Sequence, residues 1–115
     1  MKVLLENLLR NEDGVSVTAE VVAGATVVVF TTGRGTPLGF PVPTLKVATN
    51  SDIAARKPHW IDFDAGVLLS GSTTMDGLAD DLFETIRATA SGERRARNED
   101  NDYREIAIWK DGVTL

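Results

Sequence analysis

The stretch Thr26-Val27-Val28-Val29-Phe30-Thr31, running straight on into Thr32-Gly33-Arg34-Gly35-Thr36, decides the fold. Its first half is β-branched and almost wholly apolar, which predicts a strand over 26–31 buried on both faces. Working outward, Leu45-Lys46-Val47-Ala48-Thr49 predicts a second strand. Asn50-Ser51-Asp52 is a cluster of N-cap residues, and a short helix through about Arg56 follows from it. Trp60-Ile61-Asp62-Phe63-Asp64 alternates, placing Trp60, Asp62 and Asp64 on one face of a strand near 60–63. A last strand, 105–110, alternates around Ile106 and Ile108 before the turn Asp111-Gly112.

Helical patterns alternate with these strands. Val3, Leu4, Leu5, Leu8 and Leu9 share one face of a helix over 2–10, and a second helix over 17–23 ends at Gly24. The strongest helix runs from 74 to 90 along the apolar stripe Leu78, Ala79, Leu82, Phe83, Ile86 and Ala90. Thr73 followed by Asp76 resembles a capping box, Asp76, Asp80 and Asp81 suit the helix amino end, and Gly92 closes it. The charged run 93–104 reads as a solvated loop. Together these elements predict an α/β fold: one Rossmann-like three-layer sandwich with a mostly parallel sheet, its strand order left open.

The bulk properties narrow the function. With 115 residues, 43% hydrophobic and 25% charged, the chain can bury a core without staples. It has no cysteine, which excludes a disulfide scaffold, a thiolate zinc site and a thiol nucleophile, and fits a reducing compartment. Residues 1–50 hold four bases (Lys2, Arg10, Arg34, Lys46) against four acids (Glu6, Glu12, Asp13, Glu20), so residues 51–115 carry the whole net charge of −5. An acidic chain repels phosphate backbones, so nucleic acid is not the expected partner. No apolar run is long enough to span a membrane. Glu6, Asn7 and Arg10 interrupt the leucines that follow Lys2, against a secretory signal, and the expected location is cytoplasmic.

The loop after the first strand carries the clearest chemistry. Gly33, Gly35 and Gly39 allow positive φ and close approach of a ligand to the backbone. The hydroxyls of Thr31, Thr32 and Thr36 and the planar fork of Arg34 add donors suited to a carboxylate. In open α/β sheets such loops, just beyond strand carboxyl ends, are where ligands bind. No Gly-Lys-Ser/Thr follows, so this is no P-loop, and Pro37 blocks the helix a dinucleotide fingerprint needs. The structural alternative is a tight loop whose Arg34 pairs with a neighbouring acid. Lys46, inside an apolar strand beyond Pro41 and Pro43, fits a base, an anion clamp or a snorkelling edge residue.

Other candidates stay open. Asp62 and Asp64 could share a hard cation or accept backbone N–H groups. His59 is the only histidine and has no second histidine to join it at a metal. Ser70 and Ser72 lack a nucleophile-elbow context, and Trp60 and Trp109 fit core or interface.

Phe30-Thr31-Thr32-Gly33-Arg34-Gly35-Thr36-Pro37, then Val42 through Asn50, then Lys57-Pro58-His59-Trp60-Ile61-Asp62-Phe63-Asp64-Ala65-Gly66, and the ending Glu105 through Leu115 occur in an order that resembles the carboxy-terminal part of the altronate dehydratase (altronate hydrolase) and galactarate dehydratase family. The resemblance covers about residues 17–115; residues 1–16 are set apart as a non-family amino-terminal helix or remnant. It implies a metal-dependent hydro-lyase that dehydrates a sugar acid to a 2-keto-3-deoxy acid. The family's divalent metal, iron, is expected to need more than this chain. Thr32, Gly33, Arg34, Gly35, Thr36 and Lys46 are the implied substrate-binding residues, with no metal ligand or catalytic residue assigned.

Full family enzymes are several times longer, so the expected partners are the sugar-acid substrate and the remaining dehydratase domains or subunit. Homo-oligomerisation stays open, and the chain alone is expected to be inactive. Two alternatives stand beside a part of the substrate site: a structural or oligomerisation module, and an independent small-anion binder.

Overall fold

The computed structural model describes residues 24–105. Within them lies a small α/β domain whose parallel strands β1 (Val28–Thr32), β2 (Thr44–Ala48) and β3 (Phe63–Asp64) form one sheet in the order β1-β2-β3. Val28 lies opposite Thr44, Thr32 opposite Ala48, and Val47 opposite Phe63. Helix α1 (Ser51–Arg56) makes the crossover from β2 to β3. A 3-10 turn (Gly66–Leu68) then leads to helix α2 (Met75–Ala90) and the short helix α3 (Arg97–Asp100). The helices expected over 2–10 and 17–23 lie outside the described residues, as does all but Glu105 of the strand expected over 105–110.

The core follows from the strand between the other two. Every residue of β2 is buried, and around Leu45, Val47 and Ala48 gather Val28, Phe40, Ile61, Leu78 and Ala96. Burying Leu45 completely is worth roughly 1.5–3 kcal/mol. The expectation that 26–31 is covered on both faces is therefore corrected. Val29 and Thr31 of β1 are exposed, and the strand has a neighbour on one side only among the described residues. Position in the sheet, not apolarity, decides which strand is enclosed. Strand limits also differ, since β1 starts two residues later than expected and β2 one residue earlier.

Three local corrections have clear causes. Only Phe63–Asp64 of the alternating stretch 60–64 pairs as strand, because the N–H groups of Trp60 and Ile61 turn back to the carbonyl of Lys57, at 3.0 and 3.1 Å. Thr74, not Thr73, caps α2, its hydroxyl accepting the Gly77 N–H at 3.1 Å. The α2 stripe is only partly covered, with Leu78 buried but Phe83 69% exposed.

A fourth correction matters most. The segment 93–104, expected to be a solvated loop, contains α3 and two fully enclosed residues, Ala96 and Asn98. Asn98 accepts the Thr44 N–H at 2.8 Å and donates to the carbonyls of Phe40 and Val42, at 3.2 and 3.3 Å. Its side-chain amide thus continues the sheet's hydrogen bonding beyond the start of β2. The Tyr103 N–H returns to the Asn98 carbonyl at 2.9 Å. A buried polar side chain thus helps hold this charged segment against the core, and a charge count does not register that.

Candidate functional site

Parallel strands end on one side of their sheet, so the segments after β1, β2 and β3 collect at one edge. The loop after β1 is tied there on every side. Thr32 closes it from within, its hydroxyl accepting the Gly35 N–H at 2.9 Å. Gly35 has φ +76°, the left-handed conformation that glycine adopts without strain. The next segment holds the loop from outside. The Thr49 N–H donates to the Thr32 carbonyl at 3.0 Å and the Asn50 amide to the Gly33 carbonyl at 3.1 Å. Asn50 also caps α1 by accepting the Ile53 N–H at 3.0 Å, so helix start and loop are fixed by one residue. Lys57, just past α1, donates its ammonium to the Arg34 carbonyl at 2.8 Å. Thr36 accepts the Leu38 N–H at 3.3 Å.

Thr32, Gly33, Arg34, Gly35 and Thr36 therefore form one braced loop, with the Arg34 residue exposed. Among the described residues no carboxylate lies within ion-pair distance of its guanidinium, whereas Arg56, Arg87, Arg95 and Arg104 each have at least one. A backbone held at its carbonyls with an exposed guanidinium on top suits a mobile anion.

Lys46 is placed elsewhere. It is fully enclosed, and its ammonium finds no hydrogen-bond partner among the described residues. Burial pushes its pKa down, and the charge of Asp62 offsets this only in part. Asp62 belongs to the same buried cluster. One carboxylate oxygen accepts the Lys46 N–H at 2.9 Å and the other the Arg97 N–H at 2.8 Å, while Arg94 donates to the Asp62 carbonyl at 2.8 Å. Desolvation pushes the Asp62 carboxyl pKa up; the two N–H bonds and the charges of Lys46 and Arg94 pull it back in part.

The metal that the family resemblance implies does not fit these residues. Among the described residues no three His, Asp or Glu side chains converge. Both Asp62 oxygens are engaged by backbone N–H groups, and Asp64 accepts the Gly66 N–H at 2.8 Å. Ser70 and Ser72 bond to each other at 2.9 Å and to the Val67 carbonyl, a turn rather than a nucleophile. Trp60 is half-buried beneath Lys57, whose ammonium stands 4.7 Å from the ring centre. Trp109 lies outside the described residues.

Sequence reasoning read Asn50 as a helix cap but missed its bond to the loop, and it missed Lys57 and Asn98 as organisers. Asn50 carried a signal, as an N-cap residue directly after a strand. Lys57 carried the weaker one of a base at a helix carboxyl end, and Asn98 was masked by the charges around it.

Comparison with known proteins gives the family. The family model D-galactarate/Altronate dehydratase, C-terminal, matches residues 8–114, beginning within the 1–16 segment set apart above. Altronate dehydratase of Escherichia coli (strain K12) is 52% identical over 111 residues, covering 95% of this chain and 22% of that protein. Altronate dehydratase of Bacillus subtilis (strain 168) is 45% identical, covering 90% and 20%. Galactarate dehydratase (L-threo-forming) of Escherichia coli (strain K12) is 42% identical over 84 residues, covering 72% and 16%. The chain thus spans about a fifth of the length of the altronate dehydratases it matches. It belongs to the D-galactarate/altronate dehydratase carboxy-terminal family.

Proposed function

We propose that the chain forms one wall of the substrate site of a sugar-acid dehydratase of the altronate or galactarate class. The observation that carries this is the braced Thr32–Thr36 loop at the carboxyl edge of a parallel sheet, with Arg34 exposed and free of a carboxylate partner among the described residues. Arg34 holds the substrate carboxylate through two N–H donors, while Gly33 and Gly35 let the acid approach the backbone. Thr32 and Thr36 accept N–H bonds within the loop and keep their hydroxyl hydrogens for the substrate's oxygens. Lys46 belongs to this set as a buried support, since its backbone fixes Asp62 and its side chain has no exposed surface.

The reaction removes the proton α to the carboxylate and the hydroxyl on the next carbon as water, and the resulting enol tautomerises to a 2-keto-3-deoxy acid. Clamping the carboxylate favours it, because negative charge spreads onto those oxygens as the proton leaves. The base, the acid and the divalent metal belong to dehydratase regions beyond this chain, which is therefore inactive alone. The family unit reaches back to residue 8, its sheet extended into a Rossmann-like three-layer sandwich within a cytoplasmic enzyme.

Arg34→Ala in a full-length dehydratase carrying this domain is expected to lower kcat/KM by about tenfold to a hundredfold with the melting temperature unchanged. Unchanged kinetics would overturn the proposal and leave a structural or oligomerisation module.

A further inference from the structure

Beside the loop lies a hollow of about 300 Å³ lined by Arg56, Lys57, His59 and Trp60. Three of these four residues are basic types and none is acidic, in a chain of net charge −5. The carboxylate of Asp52, one turn before Arg56, is engaged, because the Arg56 guanidinium donates to both of its oxygens. The hollow is also fixed in shape. The Trp60 N–H closes a turn onto the Lys57 carbonyl at 3.0 Å, and Asn101 donates to the His59 carbonyl at 2.8 Å. The Lys57 ammonium links both features, since it donates to the Arg34 carbonyl of the loop and stands over the Trp60 ring of the hollow.

We infer that this hollow is a carboxylate subsite for a small polyhydroxy acid, continuous with the loop through Lys57. Its volume lies at the lower end of small-ligand pockets and suits a six-carbon acid. Lys57, His59 and the Arg56 N–H groups not given to Asp52 supply donors to the carboxylate, and the indole of Trp60 gives an apolar surface for the carbon chain. Only the identity of the acid rests on the function proposed above; the preference for an anion rests on the lining residues themselves.

Because His59 is the single histidine of the chain, its ring C–H signals in a proton NMR spectrum report this hollow alone. Titrating the full chain with galactarate is expected to move them saturably, while galactitol, the uncharged polyol, leaves them in place and inorganic phosphate binds more weakly. Arg56→Gln and Lys57→Met are expected to weaken galactarate by about tenfold each, with melting temperatures recorded to separate misfolding from lost binding. The inference falls if the signals do not move saturably, if galactitol moves them equally, if phosphate binds more tightly, or if folded Arg56→Gln protein binds galactarate as the parent does. The Arg34→Ala kinetics can fail while the His59 response persists, and the reverse, so the two proposals are overturned separately.

Discussion

Lys46 and Asp62 bond reciprocally: the Lys46 N–H donates to the Asp62 carboxylate, and the Asp62 N–H donates to the Lys46 carbonyl, each at 2.9 Å. A carboxylate thus stands in for a missing strand residue beside β2, and its second oxygen ties in Arg97 at the start of α3. Asp62→Ala strands the buried Lys46 N–H, the part-buried Arg97 N–H and a buried lysine, at an expected cost of about 3–5 kcal/mol. Asp62→Asn keeps one acceptor and should cost about 1–3 kcal/mol. Urea unfolding measures both, and an alanine variant within about 0.5 kcal/mol of the parent would contradict this role.

The buried lysine gives stability a pH dependence of definite sign. Its folded pKa is depressed, so between that value and the ordinary lysine value of about 10.4 the unfolded chain binds more protons. Stability therefore rises with pH across this window. Lys46→Met removes that dependence; the variant should melt higher near neutral pH, with the gap closing as pH approaches about 10. Asp62 acts in the opposite sense. Its folded pKa is raised, so its contribution is present below about 3.9 and is lost as pH rises through the folded value. Melting curves across pH that stay parallel, with the parent the more stable throughout, would contradict the Lys46 assignment.

Asn98 joins the segment after α2 to the start of β2 through one acceptor and several donor contacts. Asn98→Ala leaves the Thr44 N–H and two buried carbonyls without their partner, and about 2–4 kcal/mol of unfolding free energy should be lost. Asn98→Asp retains the acceptor but sets a carboxylate against those carbonyls, so it should be no better than alanine at neutral pH. Chemical denaturation of the two variants settles the order.

Much of this architecture was legible beforehand because it is written in local chemistry. Val28–Thr32, the Asn50 cap and the long α2 stripe each rest on residues whose preferences act within one turn or one strand. The loop at Thr32–Thr36 was legible for the same reason, since glycines and threonines at the end of a strand carry their conformation with them. What escaped depends on distant pairing. Asp62 ties together β2 and α3 across 16 and 35 positions, and burial of Asn98 follows from Thr44, 54 positions away. Lys46 read equally as a base, an anion clamp or a snorkelling edge residue, and only its position in the middle strand shows that it is enclosed.

Gly35 and Gly71 share a positive φ, +76° and +73°, but differ in surroundings. A Cβ on Gly35 would meet Lys57 Cδ at 2.7 Å and Ile53 Cγ2 at 3.2 Å, whereas one on Gly71 would meet nothing within 4 Å. Both alanine variants carry the backbone strain of about 1–2 kcal/mol. Gly35→Ala must also displace Lys57 from the Arg34 carbonyl, so it should cost measurably more than Gly71→Ala. Equal losses in thermal unfolding would mean that Lys57 does not brace the loop.

The central claim, that the Thr32–Thr36 loop faces the sugar acid, is tested most directly by hydrogen–deuterium exchange on a full-length dehydratase carrying this domain, with and without galactarate. Slower exchange across Gly33, Arg34 and Gly35 on adding the acid, lost in the Arg34→Ala variant, is the result expected. Exchange in this loop that is unchanged by saturating substrate, while other regions become protected, would contradict it.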